Sequence, residues 1–388
     1  MTRPPLLTGP FIRSWIFTFI TFSTAFQLFP TIPFRILDLG GTKSQAGLFL
    51  AIYTYACAFS APITGALADH FGRKRVLTIG AAAFAVASIL YAVTTSLPLL
   101  LFVACIHGFF WSALLSSNSA IISEIIPESR RTEGIAFWGM ASTIAIGVAP
   151  IVGLLLYRKG WTTLCIELAT LAIIMVFLAA RIHERPRDRE EKLSLNIRGL
   201  VDLRVVIVAL TLFVVSISYG SVTSYVALLS EERRIFPTSL FFTVTAIAIL
   251  VSRFFTARLG DVYGARALLI PSCALIAPGV LLLAFAHSVW SLSLAAVLYG
   301  VGFGGAYPAF VTYVLPRTDP RRRAAVFGSI LWAFDTGIGT GSFVTGQIVD
   351  ARGFQTAFIV CAGIAALSVP VFLLTSRRFL PDSSRLVA

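Results

Sequence analysis

The sequence predicts an all-α polytopic membrane protein, with twelve transmembrane helices in two pseudo-symmetric six-helix bundles. Three observations predict it. The 388-residue chain is 57% hydrophobic and only 13% charged, with a mean hydropathy of +0.86, where a soluble chain carries about 25% charged residues. Its apolar residues gather into runs of roughly 20 or more, long enough to cross a ~30 Å hydrocarbon layer as helices. Distinctive residues in the first half return in the second at one offset, close to half the chain length.

The runs fall near 14–36, 45–68, 75–95, 97–123, 133–157, 161–181, 205–229, 238–257, 267–287, 289–315, 324–348 and 353–375. None alternates with the period of two that a transmembrane barrel strand needs. The first is too long for a signal-peptide core and no A-x-A site follows it, so it counts as a span. Prolines 30, 33, 62, 150, 278, 308 and 370 lie inside runs, where membrane helices bend and continue.

Basic residues orient the spans. With both termini in the cytoplasm, the inside segments hold 23 Lys and Arg and the outside loops 7. That asymmetry is the positive-inside pattern. It also accounts for the net charge of +13, so the charge does not call for nucleic acid. Residues 182–203 are the one long hydrophilic stretch. Six spans precede it and six follow, which predicts a bundle at 1–181, a cytoplasmic linker at 182–203 and a second bundle at 204–388.

The repeat is carried by Asp69 and Asp261, Gly72 and Gly264, Gly108 and Gly300, Arg130-Arg131 and Arg322-Arg323, and Gly147 and Gly339. Each pair is separated by 192 positions. Six spans return the chain to its starting side, so the halves are parallel repeats about an axis along the membrane normal.

Several function classes find no support. The cysteines at 57, 105, 165, 273 and 361 sit inside apolar runs with no metal-ligand spacing. Gly300-Val-Gly302-Phe-Gly304-Gly305 has the spacing of a dinucleotide loop, but no strand precedes it and it lies in a span, so close helix packing explains it better. There is no Walker lysine and no hydrolase or metalloprotease motif. The expectation is a non-enzyme with no cofactor and no metal.

The loop after the second run reads Gly65-Ala66-Leu67-Ala68-Asp69-His70-Phe71-Gly72-Arg73-Lys74. It resembles the Gly-x-Leu-Ala-Asp-Arg-x-Gly-Arg-Arg pattern of the major facilitator superfamily, and the span count and repeat extend the resemblance over essentially the whole chain. The second copy, at Asp261 and Gly264, is degenerate. The resemblance implies that Gly65, Asp69, Gly72, Arg73, Asp261 and Gly264 belong to a conformational latch. In that reading Asp69 faces the N-terminus of span eleven, and Arg73 pairs with Asp69 and with an acid such as Glu124. The alternative is that residues 73–75 are topogenic charges only. Gly139, Gly147, Pro150 and Gly153 in span five are similar to a glycine-proline motif of exporting members, although Ala149 and Leu154 depart from it.

Coupling candidates are few. Proton-coupled drug exporters of the family often carry an arginine where this chain has Ala104. His107, three residues on, either titrates in its place or is a neutral histidine holding one hydrogen bond. Asp335 lies ~18 Å from Arg323 and ~22 Å from Asp350 at 1.5 Å per residue, close to the midplane, where a carboxylate is costly unless functional or paired. Arg253 of span eight is its candidate ion-pair partner, and the ladder Gly337, Gly339 and Gly341 invites a neighbouring helix, for which span eight is the expectation. Glu167 sits about six residues from the outer end of span six and reads as snorkelling or locally bonded. Gln27, Asn118, Tyr219, Tyr225 and Tyr307 are candidate cavity polars, each of which equally suits helix–helix bonding.

The resulting expectation is a secondary transporter in the cell membrane working by alternating access, exporting a small amphiphilic drug- or sugar-like molecule against protons. An importer of a small solute is the alternative within transport. A non-transporting receptor or sensor on the same scaffold is the alternative outside it. The expected partners are the substrate, protons and the lipid bilayer, for a monomer with both termini cytoplasmic.

Overall fold

The computed structural model describes residues 4–182, 202–319, 322–377 and 379. Among them there is no strand. The first half holds α1 (Gly9–Asp38), α2 (Lys43–Phe71), α3 (Arg73–Val93), α4 (Leu97–Ile125), α5 (Arg131–Lys159) and α6 (Trp161–Ala180). The second holds α7 (Leu203–Glu232), α8 (Leu240–Tyr263), α9 (Ala265–Ala284), α10 (Val289–Val314), α11 (Arg323–Ala366) and α12 (Ser368–Arg377). Gly353, at φ 78°, interrupts α11, so the predicted spans eleven and twelve meet there inside one continuous run. Among the described residues, ten helical segments are long and apolar enough to cross a membrane, the last being the joined run Ala325–Arg377. The apolar part of α8 is shorter, Leu240–Arg253.

Local chemistry sets the breaks. Pro10 sits at the start of α1 and Thr8 caps it, accepting from the Phe11 amide at 3.4 Å. Pro30 and Pro33 stay inside α1. Between α2 and α3 only Gly72 intervenes, at φ 97°, and its repeat partner Gly264 separates α8 from α9 at φ 82°. A side chain is strained in that region, so the repeated glycine is what lets the chain reverse in one residue. Hydroxyls inside helices bond back to the preceding turn, as Thr21 does to the Phe17 carbonyl at 2.8 Å and Ser216 to the Leu212 carbonyl at 2.5 Å. That satisfies them where lipid offers no partner.

The chain divides into two compact units. Unit 1 comprises Met1–Gly41 and Ile52–Leu195; unit 2 comprises Thr42–Ala51 and Asn196–Ala388. In unit 1, α1 lies along α5 and α3 along α4 and α6. In unit 2 the most extensive pairing is α7 with α11, followed by α9 with α10 and α8 with α10. This corrects the expectation for the glycine ladder. A β-carbon on Gly337 would meet the Phe213 carbonyl and one on Gly341 the Ile217 carbonyl, both on α7, not on span eight. The approach is reciprocal, because a β-carbon on Gly220 of α7 would meet the Ile338 carbonyl. Two hydroxyl pairs bridge the seam, Ser221 with Thr345 and Ser224 with Ser342, each at 2.6 Å.

The short segment Thr42–Ala51 belongs to unit 2 for a chemical reason. The Asp350 carboxylate accepts from the Lys43 amide at 3.1 Å and the Ser44 amide at 2.7 Å, satisfying donors that open a helix. The Lys43 ammonium pairs with Glu232 at 3.1 Å. The Tyr225 hydroxyl donates to the Lys43 carbonyl at 2.8 Å. The predicted linker lies almost entirely at 183–201, outside the described residues.

Candidate functional site

The charged turn of unit 1 forms as its residues suggest. Arg73 opens α3 directly after Gly72, which aims its side chain back along α2 and toward the end of α4. Its Nη1 lies 2.6 Å from Glu124 Oε1 and its Nη2 3.6 Å from Asp69 Oδ1. The Arg73 side chain is 13% exposed, Glu124 31% and Asp69 60%. The strong bond is therefore Arg73 to Glu124, with Asp69 on the open side. Gly65 has open space where a β-carbon would stand, while Ala68 is buried. In the second copy the backbone at Asp261 and Gly264 ends α8, and the Asp261 side chain is outside the described ones. Nearby, in the turn before α5, the hydrogen bond from Arg130 to Glu133 raises the guanidinium pKa above its usual range.

The polar candidates of unit 1 occupy three separate places. Asn118 of α4 accepts from the Ser14 hydroxyl at 2.8 Å and donates to the Thr18 hydroxyl at 2.7 Å, which also accepts from the Trp138 indole at 2.7 Å. This network ties α1, α4 and α5 together. His107 is enclosed by aromatics, with ring centroids 4.1 Å from Phe84 and 5.1 Å from Tyr53, and its Nδ1 is 3.2 Å from the Tyr91 hydroxyl. Gln27 of α1 reaches neither group; its Nε2 donates to Glu167 Oε1 of α6 at 3.1 Å.

Unit 2 gathers an aromatic surface beside its membrane-embedded acid. Tyr219 of α7 stacks on Phe303 of α10 with centroids 4.5 Å apart and rings 8° from parallel. Phe334 of α11 lies 6.2 Å from each of them and 5.3 Å from Tyr307. Asp335 follows Phe334 in sequence on α11. All five side chains are partly exposed. Tyr219, Tyr307 and Asp335 are thus brought together by Phe303 and Phe334, which the sequence reading did not single out. Tyr225 stands apart, at the Lys43 carbonyl. Arg253 sits on α8 with an exposed side chain.

Among the described residues no cluster of His, Cys, Asp or Glu has the makings of a metal site. Two bundles of membrane-length helices, repeated glycine turns and a charged triad of Arg73, Asp69 and Glu124 define a class: membrane transporters of the major facilitator type. The family model described as Major Facilitator Superfamily matches residues 14–237 and 208–386. The chain belongs to the major facilitator superfamily. It is a multi-pass membrane protein and a secondary transporter of a small molecule, not an enzyme.

Its relatives include the staphylopine export protein of Staphylococcus aureus, 25% identical over 92% of this chain and 93% of that one. Multidrug resistance protein MdtG of Salmonella choleraesuis is 24% identical, covering 90% and 91%. Among solved structures, nucleoside transporter NupG superposes with a TM-score of 0.78 at 16% identity, over 95% of this chain and 100% of that one. A bacterial homologue of the human lysosomal transporter Spinster gives 0.79, at 14% identity over 98% and 99%. At those identities the structural matches establish the fold alone.

Proposed function

We propose that this chain exports a small amphiphilic molecule from the cell in exchange for protons, by alternating access in the cell membrane with both termini cytoplasmic. The observation that carries the reading is the surface formed by Tyr219, Phe303, Tyr307 and Phe334, with Asp335 next to Phe334 on α11. Flat aromatic faces receive apolar and aromatic groups with little demand for hydrogen-bond geometry. A carboxylate deep in a membrane helix is costly unless it does work, and one able to take and release a proton beside that surface links cargo to the proton. The names of the staphylopine and multidrug exporters among its relatives support outward transport. In the same reading, Asp69, Arg73 and Glu124 act as a latch that one conformation makes and another breaks.

The test is Asp335→Asn in proteoliposomes with an imposed pH gradient, using a fluorescent lipophilic dye as cargo. The variant mimics the protonated acid permanently. It should lose gradient-driven accumulation while keeping downhill exchange, and His107→Gln should keep both. Full gradient-driven transport by Asp335→Asn overturns the carrier role. Dye movement only in the uptake direction overturns export.

A further inference from the structure

Among the described residues, two carboxylates lie well inside membrane helices, one in each unit: Asp335 on α11 and Glu167 on α6. The second is six residues past Trp161, the first residue of α6, so it stands ~9 Å along the helix from that end. Its neighbour Gln27 is 2% exposed. The backbone of α5 closes over Gln27 at Gly153, where a β-carbon would lie 2.7 Å from the Gln27 carbonyl oxygen and 2.8 Å from its Cα.

Counting donors and acceptors gives the inference. Gln27 Nε2 donates to Glu167 Oε1 at 3.1 Å. The other oxygen of each group, Gln27 Oε1 and Glu167 Oε2, is shielded from solvent and has no hydrogen-bond partner among the described residues. With Glu167 ionised, the carboxylate holds one donor while its second oxygen and the amide oxygen of Gln27 hold none, an arrangement that burial penalises. One proton repairs both defects. A neutral carboxyl donates its O–H to Gln27 Oε1 while its carbonyl keeps the Gln27 N–H, closing an acid–amide ring. Exchanging the amide oxygen and nitrogen of Gln27 does not remove the need, since the oxygen would then face the carboxyl and still require its proton.

Of the charged and titratable groups in that half of unit 1, Arg35, Asp38 and Tyr91 make contacts elsewhere. On α1, Arg35 donates to the Thr94 carbonyl at 3.2 Å and lies over the Trp161 ring at 5.6 Å, and Asp38 accepts from the Tyr157 hydroxyl of α5. On α3, Tyr91 meets His107 at 3.2 Å. Cys165 of α6 itself is buried. The remaining cations of α5 on that side, Arg158 and Lys159, are in its last turn.

We propose that Glu167 is a proton-binding site, loaded as a neutral carboxyl ring-paired with Gln27, which gives unit 1 a proton carrier to match Asp335 in unit 2. The proton joins one carboxylate oxygen and leaves from it; no other bond is made or broken. The inference deepens the proton-coupled reading above, and its test does not depend on transport.

The experiment is infrared spectroscopy of the purified, lipid-reconstituted full chain at neutral pH, in an Asp335→Asn background that leaves Glu167 as the membrane-embedded acid. The expected result is one protonated-carboxyl C=O band per molecule, abolished by adding Glu167→Gln and displaced by adding Gln27→Leu. Glu167→Gln preserves both bonds of the ring, so it should melt with the parent, whereas Glu167→Ala should melt lower. Absence of the band, its survival in Glu167→Gln, or a Glu167→Gln melt as low as that of Glu167→Ala overturns the proposal. If Asp335→Asn keeps full gradient-driven transport while the band persists, the Asp335 role fails and the Glu167 site stands.

Discussion

Replacing Glu124 with Gln tests how the triad of Arg73, Asp69 and Glu124 is weighted. The substitution removes the charge from a 2.6 Å contact in which Arg73 is 13% exposed and Glu124 31%. Hydrogen bonds to charged groups contribute about 1.5–3 kcal/mol when well buried and exposed pairs about 0–1 kcal/mol, so this intermediate site should lose about 1–2 kcal/mol. Asp69→Asn alters a 3.6 Å contact whose acid is 60% exposed, and its stability cost should stay within about 1 kcal/mol. A double-mutant cycle with Arg73→Gln isolates the pairwise part. The assay is equilibrium denaturation in mixed micelles, run beside dye transport. If Asp69 matters as a latch, Asp69→Asn should depress transport far more than its small stability loss explains, with membrane insertion intact. The weighting is refuted if Asp69→Asn destabilises as much as Glu124→Gln, or if the Arg73–Glu124 coupling vanishes. Unchanged transport in Asp69→Asn would leave residues 65–77 as a topogenic turn.

Three more outcomes are expected. Gly341→Val drives a side chain into the Ile217 carbonyl and should cost about 1–3 kcal/mol of overpacking, whereas Gly65→Ala, with open space at its β-carbon, should be neutral or gain up to about 1 kcal/mol of helix propensity; thermal melts of both variants check the contrast. Asp350→Ala removes the acceptor for the Lys43 and Ser44 amides and should cost about 1 kcal/mol, as loss of a helix cap does, with faster hydrogen exchange at those amides as the readout. Glu190→Cys in the predicted cytoplasmic linker should react with an impermeant maleimide only from the cytoplasmic side, and labelling only from outside would reverse the topology.

Features that depend on neighbours along the chain were legible in the amino-acid order alone. Hydropathy marked the helices because a spanning segment must be long and apolar wherever it packs. The sequence placed Gly72 and Gly264 in loops between predicted runs; that the helices continue up to each glycine and reverse in that one residue emerged only from the structure. The Arg73, Asp69 and Glu124 grouping came from the family resemblance and not from helical spacing, since Gly72 puts Asp69 and Arg73 on different helices. Which helices face one another emerged only in three dimensions. Helical periodicity marks the face bearing Gly337 and Gly341 but not its partner, and the partner is α7 rather than α8. Gln27 finds Glu167 across 140 positions, and Tyr225 finds the Lys43 carbonyl across 182. Those pairings depend on how helices are laid side by side. A sequence records which side chains can bond, but in a bundle held by small-residue contacts many arrangements satisfy the same pattern until backbones actually meet.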